Sequence, residues 1–261
     1  MTLKGKRALI TGSTSGIGLA IAEALAAEGA DILVNGFEPQ SVVEGVAAGL
    51  ARTRKVKTGA LSADLTDAAA CERLVAAADN SIGPIDILVN NAGIQHVAPI
   101  EEFPLAKWDQ IIALNMTAAF RLTRLVLGGM KSRGYGRIIN IASAHALVAS
   151  EFKAAYVAAK HGLLGFTKVA ALEGSSKGVT CNAICPGYVH TPLVDKQIDD
   201  QAKAHGIPRE RVISEIMLAP QAVKEFTTVE QVAGLAVFLC GEGARTITGT
   251  ALSIDGGWTA R

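Results

Sequence analysis

Two side chains that could share the handling of a proton, Tyr156 and Lys160, stand four residues apart in a stretch, 153–173, whose pattern predicts a helix. Residues at i and i+4 lie on one helix face, so a phenol and an ammonium could point into one cleft. A free tyrosine, with a pKa of about 10, is a poor base at neutral pH. A cation within about 4–6 Å favours the phenolate, so the expectation is that Lys160 lowers the Tyr156 pKa and makes it a usable acid/base. On its own the pair has a plainer reading, a tyrosine at a core edge and a lysine on a solvated face. A hydroxyl and an imidazole, Ser143 and His145, follow the apolar run 137–142. They would lie at the carboxyl end of a strand, where open α/β sheets bind ligands.

Upstream, the apolar run 7–11 ends in Gly12-Ser13-Thr14-Ser15-Gly16-Ile17-Gly18 and leads into an Ala-rich helical pattern. Strand, glycine turn and helix form a phosphate-binding unit. Glycines admit a pyrophosphate to the backbone, and the helix N-terminus supplies N–H groups and a favourable dipole. The spacing is G-x3-G-x-G rather than G-x-G-x-x-G. The next strand, 31–35, ends at Gly36, where an acid often grips a ribose hydroxyl. Neither an acid nor a basic residue for a 2′-phosphate stands at that position, and Ser15 is not basic. The missing positive charge favours NAD over NADP. Phe37 could pack on an adenosine or on the next helix. Asp64, beside Leu65, could accept from an adenine amino group or cap a helix. Asn90-Asn91-Ala92-Gly93 could let a strand end pass close to a cofactor, or be an ordinary turn. Asn115, set among Ile111, Ile112, Leu114 and Met116, could hold a water, bend its helix or be a satisfied core amide.

These residues need a scaffold, and the chain supplies one. Apolar strand runs alternate with helical patterns throughout, which argues a doubly wound parallel sheet. Apolar residues make up 49% and aromatics only 5%, so the core must be built mainly of Ala, Val, Ile and Leu, as buried parallel strands require. No linker, repeat or charge run divides the 261 residues, so residues 1–261 are read as one domain. Within it, 188–226 turns polar and is too long for an ordinary connection, which suggests a lid over a site. A net charge of +1 argues against nucleic acid or an anionic membrane as partner. With no apolar leader and no 18-residue apolar run, the expectation is a cytoplasmic protein. Cys71, Cys181, Cys185 and Cys240 lack metal-ligand or CxxC spacing, so no metal is expected and they read as reduced fillers.

Taken in order, Thr11-Gly12-x3-Gly16-x-Gly18, Asn90-Asn91-Ala92-Gly93, Asn115, Ser143, Tyr156-x3-Lys160 and Pro186-Gly187 resemble the short-chain dehydrogenase/reductase family over nearly the whole chain. The resemblance implies a Rossmann-type fold, a seven-stranded parallel sheet with helices on both faces. It implies Tyr156 as general acid/base, Lys160 as the residue that holds the nicotinamide ribose, Ser143 as hydrogen-bond partner of the substrate oxygen, and Asn115 as anchor of a water. Cofactor contacts would come from Gly12, Thr14, Ser15, Gly16, Ile17, Gly18, Phe37, Asp64 and Leu65. Asn91, Ala92, Gly93, Tyr156, Lys160, Pro186, Gly187, Val189 and Thr191 would complete them. A homotetramer, paired through the helices near 106–131 and 154–174 and through the last strand, is also implied.

Within the family, Asn35-Gly36-Phe37, Gly93-Ile94-Gln95-His96, Ser143-Ala144-His145, Lys153, Gln197 and the tail 255–261 are most similar to members that oxidise D-3-hydroxybutyrate to acetoacetate with NAD. That likeness implies a substrate site of Gln95, Ser143, His145, Lys153, Tyr156, Tyr188, Gln197 and Trp258, with Lys153 and its neighbours holding a carboxylate. Tyr188 departs from the Trp of some relatives. Lys153 solvated, Gln95 capping a loop and His145 only orienting its neighbours is the plainer alternative. A reductase of another ketone, sugar or acyl thioester, which would want NADP-directed basic residues, and a non-catalytic nucleotide sensor remain as other functions. The complete set Asn115, Ser143, Tyr156 and Lys160 speaks against the sensor.

Overall fold

Strand residues alternate between two cores. In β1 (Arg7–Ile10), Ala8 and Ile10 face one layer of helices while Leu9 faces the other. The same alternation runs through β2 (Asp31–Gly36) and β4 (Ile87–Asn90). Period-2 burial on both faces is the signature of a sheet covered on both sides. The computed structural model describes residues 2–260. With β3 (Thr58–Ser62), β5 (Gly136–Ile141), β6 (Val179–Pro186) and β7 (Ala251–Ile254), the strands form one seven-stranded sheet in the order β3-β2-β1-β4-β5-β6-β7, parallel throughout. The expected doubly wound architecture is therefore the observed one.

Helices α1 (Gly16–Ala27), α2 (Gln40–Arg54) and α9 (Val229–Cys240) share the first core, through Ile21, Leu25, Val43, Leu50, Val232 and Leu239. Helices α3 (Ala68–Ser81), α5 (Ala118–Arg133) and α6 (Ala154–Gly174) share the second, through Leu74, Leu122, Val126 and Ala170. The strand order reverses direction between β1 and β4. At that switch point both neighbouring crossovers lead away from a crevice at the strands' carboxyl ends.

Two expectations needed adjustment. The third strand, expected near 56–61, runs Thr58–Ser62, because Lys55 ends α2 in a left-handed turn (φ 58°) and Lys57 N–H is held by Asp31 Oδ1 at 2.8 Å. The long helix expected at 105–131 is α4 (Leu105–Ile112) continuing into α5, with a π-helical segment, Ala113–Thr117, between them. By length and composition this run, Leu105–Arg133, could cross a bilayer. Its apolar stripe instead packs on the sheet: Leu122, Val126 and Met130 are buried in the second core.

The excursion after β6 leaves and returns through one bridge. Val189 pairs with Thr227, and Thr227 N–H bonds Tyr188 O at 3.0 Å. Between them, α7 (Pro192–His205), the single turn α8 (Arg209–Arg211) and a π-helical segment, Val212–Met217, bury Val194, Ile198, Val212 and Met217 against each other. Arg209 ties this excursion internally, bonding both Asp195 and Asp199.

Candidate active site

The glycine turn is held from both sides by strand ends. Asn91 Nδ2 donates to Thr11 O (2.9 Å) and Gly12 O (3.0 Å), while Thr11 Oγ1 accepts from Asn91 N and Ala92 N. From β2, Asn35 Oδ1 accepts from Gly12 N, and Ser13 N donates to Asn35 O at 2.7 Å. Asn91 therefore spends its amide on the turn itself. Gly12 and Gly16 take positive φ (60° and 55°), and a Cβ on Gly18 would lie 2.1 Å from Gly12 O. That contact accounts for the third glycine of the motif: a side chain there would push the turn apart. At the start of α1 no side chain caps the first N–H groups. The turn thus offers backbone donors and space to a pyrophosphate, and a dinucleotide fits it.

From this turn an open cleft of about 500 Å³ runs over the carboxyl ends of the strands. Every residue proposed above for cofactor or substrate lines it except Gly18, which packs behind Gly12. Asn115 also stands back: its Oδ1 accepts from Ile94 N and its Nδ2 donates to Ile94 O, both at 2.9 Å. Of the three readings offered for it, the satisfied core amide applies. It lies in the π-helical segment and fixes the loop that carries Gln95.

The reacting end is assembled by β5, α6 and their neighbours. Ser143 leaves β5 extended and caps a short turn, its Oγ accepting from His145 N at 3.1 Å. Phe152, in an unusual left-handed conformation for a bulky residue (φ 65°), reverses the chain just before Lys153 and α6. Lys153 is buried, and its Nζ donates to Tyr188 Oη at 3.2 Å. Tyr188 stacks on Trp258 (5.6 Å between rings), and Trp258 meets His145 edge-on at 5.1 Å. Burial brings the Lys153 pKa down to about 8. Burial, with the Lys153 charge adding to it, takes His145 down to about 3, so its ring is neutral. Phe37 is exposed (78%) at the far end of the cleft, and Asp64 caps its own turn by accepting from Thr66.

The expectation that Lys160 lowers the Tyr156 pKa is not met. Lys160 Nζ donates to Ile141 O at 2.7 Å and lies 5.5 Å from the Tyr156 ring centre. Burial dominates both groups: it pushes the phenol up, opposed by a hydrogen bond with Ser143, and brings the Lys160 pKa down to about 8. Spacing on a helix put the two on one face but did not show that a strand-end carbonyl would claim the ammonium.

The model of the short chain dehydrogenase family matches residues 6–202. This chain belongs to the short-chain dehydrogenase family. Its relatives include a D-beta-hydroxybutyrate dehydrogenase of Cupriavidus necator, 53% identical over 99% of this chain and 100% of that one. Another, of Rhizobium meliloti, is 54% identical over 98% of this chain and 99% of that one. Among solved structures, a variant of actinorhodin polyketide ketoreductase crystallised with NADPH superposes with a TM-score of 0.92 at 35% identity, covering 98% of each chain. A short-chain dehydrogenase of this fold binds a nicotinamide dinucleotide.

Two residues of the cleft region escaped the sequence reading. Glu38 folds back over the end of β2: its Oε1 accepts from Thr14 Oγ1 at 2.8 Å, and a Cβ on Gly36 would lie 2.2 Å from its Oε2. An acid two positions downstream of Gly36 thus lies against the end of β2, and Gly36 makes room for it. The signal was an acid just past the strand end. Ser150 has its Oγ 2.9 Å from His145 Nε2; no motif marked it.

Proposed function

We propose that the chain is an NAD-dependent dehydrogenase of a small 3-hydroxy acid, interconverting D-3-hydroxybutyrate and acetoacetate. The observation that carries this reading is the buried Lys153 ammonium in the cleft that Ser143 and Tyr156 line. An ammonium with so little solvent calls for an anionic partner. Gln95 lines the same cleft, and its Nε2 is buried without a hydrogen-bond partner. A substrate carboxylate bonded by both would satisfy them. The names of the two relatives above over half identical agree with this substrate.

NAD rather than NADP follows from Glu38, whose carboxylate beside Thr14 and Gly36 would repel a 2′-phosphate and accept from a 2′-hydroxyl. The cofactor, when bound, supplies the hydride-accepting carbon and, in its oxidised form, a positive ring. Tyr156 takes the alcohol proton through its Oη while hydride leaves the carbinol carbon. Without substrate a hydrogen bond from Ser143 pulls the Tyr156 phenol toward the phenolate against the effect of burial; with substrate bound, the same hydroxyl holds the substrate oxygen. Lys160, fixed by Ile141 O, holds the ribose. The excursion 188–226, through Thr191, Val194 and Gln197, serves as a lid that closes the cleft on the substrate.

Steady-state kinetics test the reading. D-3-hydroxybutyrate with NAD should give a higher kcat/KM than 2-butanol with NAD or the acid with NADP. A preference for the neutral alcohol would refute the substrate assignment, and a preference for NADP would refute the role of Glu38. The subunits assemble as a homotetramer, for which the exposed apolar residues Phe120, Val169 and Leu172 on α5 and α6 argue. Light scattering should give about four chain masses at micromolar protein; a monomer mass would refute it.

A further inference from the structure

Tyr188 stands just past the end of β6, and its place is fixed on three sides. Gly187 N–H bonds Ile254 O at 3.1 Å and Thr227 N–H bonds Tyr188 O at 3.0 Å, which ties its backbone to β7 and to the return of the excursion. Its ring stacks on Trp258, 13° from parallel, and packs against the apolar cluster of Val194, Ile198, Val212 and Met217. A ring held in this way delivers its hydroxyl to one place. That place is the cleft, beside Lys153.

The direction of the bond between the two groups is set by chemistry. With its pKa brought down only to about 8, Lys153 is an ammonium at pH 7. An ammonium has three N–H donors and no lone pair, so Lys153 donates and Tyr188 Oη accepts, at 3.2 Å. Burial, with the Tyr156 charge adding to it, takes the Tyr188 phenol up to about 12, so it keeps its own hydrogen at neutral pH. Among the described residues that hydrogen has no acceptor: the bond from Lys153 is the one hydrogen bond of this hydroxyl.

We propose that Tyr188 is a specificity-determining residue whose hydroxyl donates to the substrate carboxylate beside Lys153. After its bond to Tyr188 the ammonium retains two N–H donors, and Gln95 Nε2 is buried without a partner in the same cleft. A carboxylate accepts on both oxygens and donates nothing, so it matches a set made of donors. The amide of the same acid does not. It turns N–H groups on donors and leaves one of them buried without a partner, which excludes it more strongly than its size would. Without substrate, the phenol oxygen is the acceptor for the buried ammonium.

This inference rests on the reading of the substrate as an acid, and the test keeps the two apart. Tyr188→Phe keeps the ring and its stack on Trp258 and removes the hydroxyl. The ratio of kcat/KM for D-3-hydroxybutyrate over 2-butanol, each with NAD at pH 7, should fall about 10-fold, the low end for a hydrogen bond to a charged group. The loss should appear in KM for the acid with kcat nearly unchanged, because the carboxylate is bonded alike before and during hydride transfer. A double variant asks whether the phenol acts on the carboxylate itself or only by placing Lys153. In the Lys153→Ala background, Tyr188→Phe should lower the same ratio again, by about 3-fold or more. A wild type that prefers 2-butanol would overturn the reading and this inference with it. A wild type that prefers the acid, with the ratio unchanged in Tyr188→Phe, would overturn this inference alone. So would a loss confined to kcat, or a double variant with the same ratio as Lys153→Ala.

Discussion

The two ends of the cleft are built by opposite means. At the glycine end the cleft is lined by backbone: Gly12, Gly16 and Gly18 remove side chains, and Asn35 and Asn91 brace the turn from neighbouring strands. At the other end it is lined by side chains. Tyr188, Trp258 and His145 form a wall of rings, and Lys153 supplies a buried charge. The first end lies within a short span of sequence plus two strand ends. The second draws on β5, α6, the end of β6 and the C-terminal tail. A dinucleotide shared by a whole family suits a site made of backbone, since backbone geometry tolerates sequence change. Substrate choice suits a site made of exchangeable side chains on separate segments.

Variants at each end should break this contrast in different ways. The largest effect is expected where the ends meet. Tyr156→Phe removes the proton carrier, so kcat should fall about 10²- to 10⁴-fold, the usual contribution of a general acid/base. NAD affinity, measured by fluorescence titration, should stay within about twofold, since a factor of two is only ~0.4 kcal/mol. Retention of most of the turnover would remove Tyr156 from the mechanism. A smaller change is expected at the glycine end. Glu38→Gln keeps the side chain's length and its bond to Thr14 but removes the charge. The ratio of kcat/KM for NAD over NADP should drop about 10-fold, the low end for one charged hydrogen bond. An unchanged ratio would mean that cofactor choice is made elsewhere in the turn.

The same contrast explains what could be read from the sequence. The alternation of β1 through β7 with helices, the glycine spacing and the Tyr156–Lys160 pair are local patterns, and the fold follows from them. The residues gathered along the cleft came from a resemblance that spans the chain, because no spacing rule joins Gln95, Lys153, Gln197 and Trp258. Three features were not legible. Glu38 reaches Thr14 from beyond its strand. Lys160 is claimed by the Ile141 carbonyl, a contact set by the packing of α6 on β5. The π-helical turn at Asn115 depends on Ile94, a residue 21 positions away, whose backbone the amide holds. Each is a tertiary contact that leaves no periodic trace.

The central claim is that the buried ammonium at the side-chain end selects an acid. Its most direct test is kcat/KM for D-3-hydroxybutyrate and for 2-butanol, each with NAD, in the wild type and in Lys153→Ala. At pH 7 the substitution should reduce kcat/KM for the acid about 10- to 150-fold, the worth of one hydrogen bond to a charged group, and spare the neutral alcohol. In the wild type the acid's advantage should itself shrink as pH rises through about 8, where the free Lys153 ammonium loses its proton. NAD affinity should not change with the substitution. Equal loss on both substrates, or acid oxidation untouched by Lys153→Ala, would contradict the account.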